Sequence, residues 1–250
     1  MKTLLKAMRS GACLLLVVAA SACATASTWQ YPPQPGGTLL DKKAPTTLPA
    51  SLAVLPLRDE RGTAAQSNGW LAAIPLVPYA ENWSDRPESA QDPQPVFIVK
   101  MDPTKDLPRA FADELRNAAL FSSVRFAEDN NPAGADLVLA GTLRSTKWHR
   151  TITTYGLGPA GPLVWMLGAP IGKGTSTVVM EYKLTPANDP SRILWAFSMA
   201  FEDIHLIGIY TGLENVGDDY ARAVQGAIRQ TMDSLMKVIA EKPDQFKGAR

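Results

Sequence analysis

The chain has 250 residues, 46% apolar and 20% charged, with 25 Lys and Arg against 24 Asp and Glu. So even a balance lacks the basic excess that nucleic-acid binding requires, and two cysteines are too few for a disulfide framework. A chain of this length and apolar content can hold one sizeable domain by its core alone.

Lys2, Lys6 and Arg9 precede the apolar run Leu14-Leu15-Leu16-Val17-Val18-Ala19-Ala20, with no acidic residue among them. The run is shorter than the roughly 20 residues that span a bilayer, and the layout predicts an export signal over 1–22. Ala20-Ser21-Ala22-Cys23 resembles a bacterial lipobox, with Ala20 standing where leucine is usual. Cleavage before Cys23 would make its sulfur the lipid attachment site and leave 228 residues with 22 basic and 24 acidic side chains. That mature chain would have no thiol for a disulfide, a metal or a nucleophile. The competing expectation is cleavage after Ala24-Thr25-Ala26, which would release a soluble periplasmic protein.

Segment 23–50 carries five prolines and no helical or strand period, which predicts an extended, lipid-anchored tether. A single α/β domain is expected over 51–242, followed by a tail at 243–250. Ser51-Leu52-Ala53-Val54-Leu55-Pro56-Leu57 suits a buried first strand before a charged turn at 58–62. The proline-broken stretch 63–95, apolar around 70–79, reads as an ordered insertion loop. Val96 to Lys100 looks like a short strand. Asp106 is expected to cap a helix with Pro108 in its first turn, and Leu107, Phe111, Leu115 and Ala118 give it one buried face. Extended chain resumes at 121–127, and 129–134 is a turn. Three long strands should follow at 136–154, 175–185 and 193–204, forming an antiparallel meander. The last element is a helix over about 218–241, striped by Tyr220, Val224, Ile228, Leu235 and Ile239. The fold class expected is α/β (α+β): a mostly antiparallel sheet with two main helices packed on it.

The strand Leu52 to Leu57, the helix exit at 115–124 and Ala135-Asp136-Leu137-Val138-Leu139-Ala140-Gly141-Thr142-Leu143 carry a resemblance. Across 51–240 the chain is similar to a group of bacterial lipoproteins. That group includes the curli-export lipoprotein and the penicillin-binding-protein activators, whose domain resembles the amino-terminal domain of the translocation protein TolB. The resemblance implies an outer-membrane lipoprotein facing the periplasm that binds or assembles other envelope proteins without catalysis.

The apolar connection at 155–174, with no charge between Arg150 and Lys173, is the candidate contact site. Eight of its residues between 155 and 172 are Gly or Pro, which excludes a membrane-spanning helix. Leu157, Leu163, Val164, Trp165, Met166 and Leu167 nonetheless need cover, each being worth about 1.5–3 kcal/mol when buried. The cover could be the domain's own sheet or the 70–79 loop, a membrane or partner, or a small ligand. Lys147, His149, Arg150 and Lys173 at its base would suit lipid headgroups. Contact with membrane or partner is the working expectation.

Gly156-x-Gly158-x-x-Gly161 matches a dinucleotide fingerprint only in spelling, because Pro162, Gly168 and Pro170 prevent a helix long enough to face a pyrophosphate. Gly168 to Thr175 departs from a phosphate loop at the magnesium-binding position. No nucleotide, cofactor or metal is expected. Asp203 and His205 share a strand face while Glu202 points away, so three ligands do not converge. No Gly-x-Ser-x-Gly elbow is present, and the chain is expected not to be an enzyme. A periplasmic hydrolase and a subunit of an oligomeric export channel are the alternatives.

Overall fold

In the computed structural model the described residues are 27–33, 36–89, 99–210 and 216–247. The expected signal, Cys23 and the expected strand residues 96–98 lie outside them. The strands are β1 (Ser27–Thr28), β2 (Leu48–Asp59), β3 (Ala65–Ser67), β4 (Tyr79–Ser84), β5 (Val99–Lys100), β6 (Phe121–Phe126), β7 (Leu137–Ser145), β8 (Trp148–Thr153), β9 (Gly172–Pro186) and β10 (Trp195–Ile207). The helices are α1 (Pro103–Asn117), α2 (Gly161–Met166), α3 (Val216–Glu241) and α4 (Asp244–Lys247). Of these, α1 and α3 are the two expected from the sequence.

The 15-residue strand β9 is the spine of an eight-stranded sheet. Its side chains alternate strictly, with Ser176, Val178, Met180, Tyr182 and Leu184 buried beneath the helices and Thr177, Glu181 and Lys183 on the other face. One edge of β9 pairs antiparallel with the whole of β10. The opposite edge is shared end to end by β7, over 179–186, and β8, over 172–176. The expected strand 136–154 is therefore two, interrupted at Thr146 and Lys147. Beside β7 the sheet continues through β2 and β6, both in parallel pairings, and beside β8 it continues through β4 and β3 in antiparallel ones. Two lobes thus hang on one strand pair, and the sheet is mostly antiparallel as expected. The stretch expected as an insertion loop over 63–95 instead forms, through residue 89, an arm of the sheet made of β3, β4 and a 3-10 turn at Gly69–Ala73, while 90–95 lie outside the described residues.

Helix α1 starts one turn before the expected cap. Asp102, not Asp106, is the N-cap, accepting from the Thr104 amide at 3.1 Å with Pro103 at the first helical position. Asp106 turns back to accept from the Asp102 amide at 2.7 Å. The faces of α1 and α3 meet the sheet through Leu107, Phe111 and Leu115 from one and Tyr220, Val224, Ile228 and Leu235 from the other. The Phe111 and Tyr182 rings lie 5.1 Å apart, tilted by 58°. Asp136 pins β7 to β2, its carboxylate accepting from the amide and hydroxyl of Ser51, both at 2.8 Å.

The segment expected to be a free tether lies on the domain from residue 27 onward. β1 pairs parallel with β5, Trp29 and Tyr31 pack against the core, and Leu40 is 4% exposed. The Tyr31 hydroxyl donates to Glu114 Oε1 at 2.5 Å, and the Leu40 amide donates to both Glu114 oxygens at 3.1 and 2.9 Å. Further along, the Ala44 amide donates to the Ala118 carbonyl at 2.9 Å. Proline removes regular structure from this strap but not its apolar residues, which find cover between α1 and α3. At the other end Phe246, expected in a tail, is buried in the core.

Candidate functional site

Exposed large apolar side chains are gathered rather than scattered. Among the described residues, thirteen of the fourteen fall on segments 70–79, 155–167 and 204–210, with Ile193 the exception. Hydrogen bonds bring the three segments together. The Leu76 amide donates to the Gly156 carbonyl at 2.8 Å, the Tyr210 hydroxyl to the Met166 carbonyl at 2.8 Å, and the Ile171 amide to the Ile207 carbonyl at 2.6 Å. The result is one apolar end on the lobe built from β3, β4, β8, β9 and β10.

Glycine and proline shape this end. Gly158 has φ +53°, and a β-carbon there would lie 2.9 Å from the Ala73 carbonyl oxygen, so only glycine lets the two loops close on each other. Gly161 opens α2, which lasts six residues before the chain passes Gly168 and enters β9. A helix does begin at the third glycine of the fingerprint-like run, but it is under two turns long.

The expected contact residues divide into two groups. Leu157, Leu163, Met166 and Leu167 are exposed, Leu167 by 88%. Val164 and Trp165 are half-buried, and the Trp165 indole nitrogen donates to the Thr153 carbonyl at 2.8 Å, fastening α2 to the end of β8. Part of the loop therefore packs against the 70–79 arm, while its apex stays open. Leu76, 90% exposed, belongs to the same surface. So do Leu206, Ile209 and Tyr210, which the sequence reading passed over although 204–210 is an apolar run interrupted only by His205 and Gly208.

The basic collar expected at the loop's base is thinner than residue spacing suggested. Strand alternation puts Arg150 on the helix-covered face, where it is 6% exposed. His149 lies 3.6 Å from the Glu81 carboxylate, and Lys147 sits over the Trp83 ring at 4.4 Å. Lys173 remains exposed.

An open groove of about 830 Å³ runs beside β2, β7 and β9, lined by Arg58, Arg144, Glu181 and Lys183 among others. Its two carboxylates, Glu128 and Glu181, are each paired with a base. Arg144 forks onto Glu181 at 3.0 and 3.1 Å and also meets Glu60. The guanidinium holds the Glu181 carboxyl below its ordinary range, so it stays an anion rather than a proton donor. Among the described residues no group of three or more His, Cys, Asp or Glu is placed to hold a metal, and no helix is long and apolar enough to cross a membrane.

No family model matches the chain, and no curated protein does. Similar solved structures include protein XCC0632 from Xanthomonas campestris, of the DUF330 family, at 14% identity and a TM-score of 0.41 over 88% of this chain and 98% of that one. A PelC dodecamer variant from Paraburkholderia phytofirmans is similar at 13% identity and 0.36, covering 80% and 96%. Lipoprotein GNA1162 from Neisseria meningitidis is similar at 13% and 0.32, covering 77% and 99%. Likenesses this distant transfer no residue's role.

Proposed function

We propose that this protein is a lipid-anchored binding or assembly factor of the bacterial cell envelope, attached through Cys23 and engaging another envelope protein through the apolar end around α2. Among the described residues, the gathering of thirteen of fourteen exposed large apolar side chains on three neighbouring segments carries the reading. Apolar area of this kind on a protein's surface is characteristic of interaction sites. With Arg150 turned inward and His149 beside an acid, the surface lacks the density of cations that anionic lipid would reward, which favours a protein partner over a headgroup layer. Outer-membrane residence facing the periplasm is part of the proposal, and the lipobox-like run ending at Cys23 supports the lipid anchor it requires.

The test is a photo-crosslinking residue placed at Leu163 in living cells, with a second placed at Ile193 as the control. A discrete adduct at Leu163, absent at Ile193, is expected. Leu76→Ser with Leu167→Ser should reduce it at least about tenfold while leaving the melting temperature unchanged, because both side chains are almost wholly in water. No adduct, or equal adducts at both positions, would overturn the proposal.

A further inference from the structure

Three residues lie between Cys23 and Ser27, and the four Cα–Cα steps they make reach about 14 Å when fully extended. From Ser27 the chain is already part of the body. β1 pairs with β5, the Trp29 amide donates to the Lys100 carbonyl at 3.2 Å, and Tyr31 and Leu40 converge on the carboxylate of Glu114. Were this strap loose, 24 residues would lie between Cys23 and Leu48, with a reach of about 85 Å.

We infer that the strap reels the body in, so that the surface formed by β5 and the amino-terminal end of α1 is held against the lipid headgroups. This rests on lipidation of Cys23, as proposed above. The occupant of that surface is a bilayer because the anchored residue cannot stand farther from β1 than its three-residue leash allows. The side chains there are balanced in charge, with Asp102 and Asp106 beside Lys100, Lys105 and Arg109, and suit a zwitterionic interface. Lys100 is exposed, while Lys105 and Arg109 reach Glu128 at 3.4 and 3.5 Å from the first two turns of α1. Glu114 is the clamp. It is fully buried and takes hydrogen bonds from two points of the strap that are nine residues apart.

The experiment uses the full lipidated chain in vesicles of phosphatidylethanolamine and phosphatidylglycerol that carry a headgroup acceptor dye. Acylation consumes Cys23, so a donor can be placed on Lys100→Cys or on Lys242→Cys, the latter past the far end of α3. Transfer from position 100 should exceed that from position 242 about twofold or more, since α3, at 26 residues, is about 39 Å long. A Gly-Ser insertion of eight residues after Ala24 should bring the two signals together without changing the melting temperature. An acylated chain with equal transfer from both positions would overturn this inference alone. A chain that carries no diacylglycerol by mass spectrometry would overturn the lipid reading and this inference with it.

Discussion

Glu114 is the residue on which the amino-terminal strap converges. It lies on the apolar face of α1, three residues beyond Phe111, where a charged group is out of place by period alone. Its meaning was not legible there, because its partners Tyr31 and Leu40 stand 83 and 74 positions away. Burial raises its carboxyl above the ordinary carboxylate range, outweighing the opposing hydrogen bonds from Tyr31 and Leu40. The same burial, with Glu114 adding to it, keeps the Tyr31 hydroxyl protonated as a donor. A carboxyl raised in the folded state stabilises below its unfolded value and loses that contribution as pH rises through the raised one. The midpoint of urea unfolding should therefore carry a component that declines with pH above the ordinary carboxylate range, and Glu114→Gln should abolish that component. Arg61 was equally hidden inside what reads as a charged turn. Its side chain is 2% exposed, forked onto Asp59 at 3.0 Å and reaching Glu88 at 2.6 Å and Thr146 at 2.6 Å, so it ties the end of β2 to the break between β7 and β8. Arg61→Ala should cost about 3 kcal/mol in denaturant titration, because it removes the buried guanidinium that joins Asp59, Glu88 and Thr146, and Arg86, 3.0 Å from Asp59, cannot replace those links.

Among the elements, those with a sustained period were legible. The alternation of β9 and the three- and four-residue steps of α1 and α3 follow from which faces they bury, and burial is their main source of stability. The hairpin of β3 and β4 was not legible, because short strands separated by prolines carry too few alternating positions. The break at 146–147 was hidden because residues on both sides remain extended and only the pairing partner changes. At the site, the apolar content of 155–174 was visible in sequence. Which of its side chains faced water depended on the neighbouring 70–79 and 204–210 segments, far away along the chain. Gly226 is a test of how closely α3 approaches the sheet. A β-carbon there would fall 2.2 Å from the Phe201 ring, so Gly226→Ala must push the helix off β10 or turn the ring. We expect a loss of about 1–3 kcal/mol by thermal melting, against the gain of up to about 1 kcal/mol that alanine would bring to an unhindered helix.

At the scale of the molecule, β9 and β10 belong to both lobes, so neither lobe has an independent boundary. Thermal unfolding should be one transition, with calorimetric and van't Hoff enthalpies equal and with Trp83, on β4 of one lobe, and Trp195, at the end of β10 that lies level with β7 of the other, reporting the same midpoint. Two separate midpoints would show that the lobes are independent. The shared strand also bears on mechanics. It is about 50 Å long at its 15 residues, and β10 is laced to it along its whole length. Traction along that axis would try to slide the two strands past each other, loading all of their rungs simultaneously instead of peeling them one by one. The body would thus resist being pulled apart along its stiffest direction.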